Sequence, residues 1–72
     1  MTDTQALSQA IQQSGLKKNA IAEKLGLSAY GFMRKVNGFS DFTVPEMEKL
    51  CEILDIKATQ RQRIFFAKVV DL

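Results

Sequence analysis

Apolar residues recur along this chain at intervals of three and four, the spacing of one helical face, and no stretch alternates for the length of a strand. Leu7, Ala10 and Ile11 define a first face; Asp3 or Thr4 can cap that helix, and Gly15 is placed to end it in a left-handed turn. A second helix starts around Lys17, turns Ile21, Ala22 and Leu25 inward, and stops at Gly26. After Leu27, Ser28 is a good N-cap for a third helix whose inward positions, Phe32 and Val36, lie one turn apart before Asn37 and Gly38 close it. Thr43-Val44-Pro45-Glu46 has the form of a capping box, with Thr43 as N-cap, Pro45 in the first turn and Glu46 at the third helical position. Met47, Leu50, Cys51 and Leu54 then follow at i, i+3, i+4 and i+7. Thr59, with Gln62 three residues on, is expected to open a last helix dense in Ile64, Phe65, Phe66, Val69 and Val70. The pattern predicts an all-α fold of five helices in a single domain over residues 1–72.

Seventy-two residues can build one core, and with 46% hydrophobic and 25% charged residues the composition is that of a folding globular chain. There is one cysteine, Cys51, and no histidine, so an intrachain disulfide, a Cys/His zinc site and a histidine general base are excluded together. The expectation is a protein that is no enzyme and uses neither metal, cofactor nor small-molecule substrate. Ile64 to Ala67, the longest apolar run, is far below the roughly 20 residues of a membrane span. Met1-Thr2-Asp3-Thr4 also lacks the basic and apolar regions of an export signal, so a cytoplasmic location is expected.

Charge is unevenly distributed. Lys17, Lys18, Lys24, Arg34 and Lys35 against Asp3 and Glu23 leave residues 1–38 at +3, whereas residues 39–72 carry −1. A basic half points to an acidic partner, most commonly nucleic acid; the competing reading is a solvated surface with uneven charge.

Between Lys17 and Gly38 lie two short helices joined by a tight turn. Two helices crossing steeply need a small residue at the crossing and a residue tolerant of positive φ at the corner, and Ala22 and Gly26 stand at those places. The outer face of the second helix is then free to enter a major groove. Ile21-Ala22-Glu23-Lys24-Leu25-Gly26-Leu27-Ser28, followed by Arg34 and Asn37-Gly38, resembles the helix-turn-helix of the Cro/phage-repressor family. The segment Asn37 to Thr43, the helix Glu46 to Leu54 and the ending Ile64-Phe65-Phe66-Ala67-Lys68 are similar to its small Gram-positive temperate-phage branch, whose members act as Cro-like regulators or modulators of repression.

The resemblance implies a helix-turn-helix core over residues 17–38 that binds double-stranded DNA in the bacterial host. Residues 28–37 would form the recognition helix, with Ser28, Ala29, Tyr30, Met33, Arg34 and Asn37 toward bases or phosphates. Lys17 and Lys18 would meet the backbone, and Lys35, standing where the family has an apolar residue, would be exposed as one more charge while Val36 takes the core contact. Arg34 and Asn37 are the plausible base readers, since Arg suits guanine and Asn adenine. The chain departs from the family in placing Lys17 at a cap usually held by Thr or Ser, and Ala29, Tyr30, Gly31 and Met33 on a face usually polar. Ala29, Tyr30, Met33 and Phe39 therefore carry a second reading, a protein-binding patch. In that reading the chain is an antirepressor that covers the DNA-reading face of a phage repressor, with Glu46, Glu48, Glu52 and Asp55 available to pair with the repressor's basic groups.

The remaining features have plainer readings. Phe32, Val36, Met47, Leu50, Leu54, Ile64 and Phe65 are expected to be core, Cys51 a buried small hydrophobe, and Glu48 with Glu52 a solvated helix face. Phe65 and Phe66 are adjacent and cannot share one core; Phe66, Val70 and Leu72, if exposed, would make a homodimer contact with DNA half-sites about 34 Å apart.

Overall fold

Local hydrogen bonds set most of the helix ends among the described residues. The computed structural model describes residues 2–65, which form α1 (Thr4–Ser14), α2 (Lys18–Lys24), α3 (Ala29–Val36), α4 (Val44–Leu54) and α5 (Ala58–Phe65). Asp3 caps α1 by accepting the Ala6 N–H at 3.0 Å, and Ser28 caps α3 by accepting that of Gly31 at 3.0 Å. The capping box of α4 is complete: Thr43 Oγ1 accepts the Glu46 N–H, and Glu46 Oε1 accepts the Thr43 N–H at 2.9 Å. Helix α2 begins at Lys17 without a side-chain cap.

The inward faces meet in one core: Leu7 and Ile11 of α1, Ile21 and Ala22 of α2, Phe32 and Val36 of α3, Leu50 and Cys51 of α4, and Ile64 and Phe65 of α5. Met47 and Leu54 pack against it and are only partly buried. Helix α1 packs against α3, α4 and α5, while α2 packs on α3. A backbone bond from the Asp3 N–H to the Ile64 carbonyl, 2.5 Å, ties the start of α1 to α5. Burial raises the pKa of the Cys51 thiol, although the nearby Arg61 charge acts the other way, so the thiol stays protonated at neutral pH as a core group.

Three expectations change. Helix α5 opens earlier than Thr59: the Lys57 carbonyl accepts the Arg61 N–H at 2.8 Å, the Gln60 side chain accepts the Lys57 N–H, and Thr59 and Gln62 lie inside the helix. Phe42, read as part of a connecting segment, is a core residue, with its ring 6.3 Å from Phe32 and 5.8 Å from Phe65 in edge-to-face contacts. Lys35 is not an exposed charge: its Nζ lies 2.5 Å from Glu46 Oε1 and 6.0 Å from the Phe42 ring centre, and both partners' side chains are only 17% exposed. Glu46 is thereby turned toward α3 rather than offered to a partner. Phe66, Val69, Val70 and Leu72, and with them the proposed dimer contact, lie outside the described residues.

Candidate functional site

The corner between α2 and α3 is built by a single glycine. Gly26, at φ +73°, lets its own N–H reach the Glu23 carbonyl at 3.0 Å and the Leu27 N–H reach that of Ala22 at 2.9 Å, the paired bonds that close a helix in a left-handed turn. Ala22, 1% exposed, sits beneath the corner, so the crossing role read from its small side chain agrees with its burial. With Phe32 and Val36 directed into the core, the remainder of α3 is left outward: Ala29, Tyr30, Met33 and Arg34 are exposed, as is Asn37 at its C-cap. Lys17 and Lys18 are exposed at the start of α2. The Ser28 oxygen is occupied by its capping bond, which leaves the hydroxyl hydrogen to donate.

Gly31 has a local reason for being small. A Cβ there would stand 3.1 Å from the Ser28 Oγ, crowding the cap. The far end of α3 repeats the closure of α2: Gly38, at φ +85°, bonds to the Lys35 carbonyl at 3.2 Å and Phe39 to the Arg34 carbonyl at 2.9 Å. This turn folds Phe39 back over the last turn of α3, where its ring centre lies 5.8 Å from the Arg34 Cζ; the Tyr30 ring centre lies 6.0 Å away.

Tyr30 is 73% exposed, Phe39 72% and Met33 50%, so the face carries large apolar surface around one guanidinium. The fold thus brings Ser28, Ala29, Tyr30, Met33, Arg34, Asn37 and Phe39 together at or beside α3. Lys35 is on the same helix but committed to Glu46. The contact between Phe39 and Arg34 was missed in the sequence, although Asn37-Gly38-Phe39 carried its signal: a residue two past the helix cap packs back on the last turn when glycine stands between. Leu16 and Val44 are further exposed apolar residues that periodicity did not single out.

Glu46 holds α3 and α4 in register. Burial pushes its carboxyl pKa up, but hydrogen bonds from the Lys35 ammonium and the Thr43 backbone, with the ammonium charge, outweigh this and hold it below its ordinary value. A groove of about 740 Å³ between α1 and the corner of α4 and α5, lined by Ala6, Ala10, Leu54 and Ile56 with Asp55 and Arg63, shares no residue with the face of α3. Among the described residues no helix is long and apolar enough to cross a membrane.

A family model for the Cro/C1-type HTH DNA-binding domain matches residues 6–60, from the first turn of α1 into α5. No curated protein and no solved structure matches the chain.

Proposed function

Because this chain belongs to the Cro/C1-type helix-turn-helix DNA-binding family, we propose that it is a Cro-like transcriptional regulator of a phage lytic–lysogenic switch, reading an operator with α3 inside the bacterial host. The observation that carries this reading is the outward face of α3. It offers one guanidinium, one carboxamide and a hydroxyl on a rigid helix, with the Lys17 and Lys18 ammonium groups beside it to neutralise phosphate. Arg34 suits a guanine edge and Asn37 an adenine edge. The resemblance to small temperate-phage regulators supports the setting in a genetic switch.

Fluorescence anisotropy against fragments tiling the chain's own genome, with a scrambled control at about 50 and 200 mM salt, tests the proposal. Sequence-preferring binding on the order of 10⁻⁸ M that survives the higher salt is expected. Weak binding on the order of 10⁻⁵ M, equal on all fragments and lost with salt, would instead favour the second reading, an antirepressor that engages a phage repressor protein. Exposed Tyr30, Met33 and Phe39 support that reading, because such side chains are enriched at protein interfaces. There, Tyr30→Ala or Met33→Ala abolishes the protein complex and leaves the circular dichroism unchanged; a complex that persists in both variants puts the interface elsewhere.

A further inference from the structure

The Arg34 guanidinium rests against two exposed rings, Tyr30 four residues before it and Phe39 beyond the helix end, and its side chain makes no ion pair or hydrogen bond with another described residue. A cation restrained in this way, with its donors unfilled, suits a fixed planar pair of acceptors, and in the major groove guanine O6 and N7 are that pair. The rings argue against a phosphate target, because aromatic surface pressed on a hydrated anion strips its water without replacing the hydrogen bonds. The apolar group that the same groove offers is the C5 methyl of thymine. Tyr30 lies in the first turn of α3, the end that reaches base edges in helix-turn-helix docking, whereas Phe39 lies past the C-cap.

Building on the operator-binding reading, we infer that this cluster reads a guanine with a thymine in the adjacent base pair. Arg34 donates to guanine O6 and N7, Tyr30 lies against the thymine methyl, and Phe39 is a positioning residue that fixes the guanidinium through its ring. Specificity then extends over two base pairs although a single side chain makes the hydrogen bonds.

Selection of the wild-type protein on a randomised duplex library, followed by atom-level changes in the selected duplex, tests this. Replacing the guanine by 7-deazaguanine, which removes only the N7 acceptor, is expected to weaken binding about tenfold. Replacing the thymine by deoxyuridine, which removes only the methyl, is expected to weaken it roughly fourfold. Arg34→Ala is indifferent to the first change. Tyr30→Ala is indifferent to the second and keeps the first. Phe39→Ala loses much of the 7-deazaguanine discrimination while retaining the deoxyuridine effect, and Phe39→Trp restores it. All three residues are exposed, and the DNA modifications report on the unaltered protein, so folding defects cannot mimic the pattern. A selected motif without guanine beside thymine, or equal affinity for natural and modified duplexes, overturns the inference and leaves operator binding standing. Selection that enriches no sequence removes operator binding, and this inference with it.

Discussion

Lys35 and Glu46 form a half-buried pair between α3 and α4, and a single carboxylate there serves both as helix cap and as counter-ion. Glu46→Gln keeps an oxygen for the Thr43 N–H and removes the charge, so it isolates the ionic part; the expected loss at pH 7 is about 1 to 2 kcal/mol, read from urea melts. Because the folded carboxyl titrates below its ordinary value of 4.5, its contribution is complete above that pH and is lost as pH falls through the lower folded value. Wild type and Glu46→Gln should therefore converge in stability at strongly acidic pH, and a gap that persists there would show that the charge is not the cause. The pairing was not legible in the sequence, because Lys35 and Glu46 are 11 residues apart and no helical spacing relates them. Asp55 is a second residue with a local cost: it ends α4 at φ 54°, a left-handed conformation that glycine adopts without strain. As the C-cap it also places an acidic residue at the negative end of the helix dipole. Asp55→Gly is expected to raise stability by about 0.5 to 1 kcal/mol, measured by thermal melts.

At the scale of elements, helix ends were readable wherever a side chain or a glycine makes them. Asp3, Ser28, Thr43, Gly15, Gly26 and Gly38 all act as their types predict, because these bonds span only three to five residues. The start of α5 was misplaced because Lys57 has no capping oxygen of its own, and the stop before it is Asp55 rather than a glycine. Phe42 had a readable signal that pattern spacing passes over: it immediately precedes the N-cap Thr43, the position from which an apolar residue folds onto its helix's first turns. Lys17 leaves α2 without a side-chain cap, which separates stability from binding. Lys17→Ser is expected to stabilise the fold by about 1 kcal/mol while weakening binding to all DNA sequences alike and reducing the salt slope by about one. Chemical denaturation and anisotropy at several salt concentrations should thus move in opposite directions for this variant; a parallel change would mean that Lys17 does not meet phosphate.

Across the whole molecule, the aromatic line from Phe32 through Phe42 to Phe65 connects α3 to α5, so the outward face of α3 is held from behind by residues distant in sequence. Phe42→Ala is expected to cost about 3 to 5 kcal/mol, a large share of the 5 to 15 typical of a small domain, with a correspondingly lower melting temperature. A loss below about 1 kcal/mol would show that the neighbouring rings close the gap. The backbone bond from Asp3 to Ile64 bears on the same packing from the opposite end of the chain. An amide at a helix N-cap has no partner within its own helix and ordinarily exchanges its proton with water almost freely. Here the Asp3 amide is sequestered only while α5 is docked on α1. Its deuterium uptake therefore times the undocking of α5, and one backbone proton serves as a native-state clock for the opening of the fold.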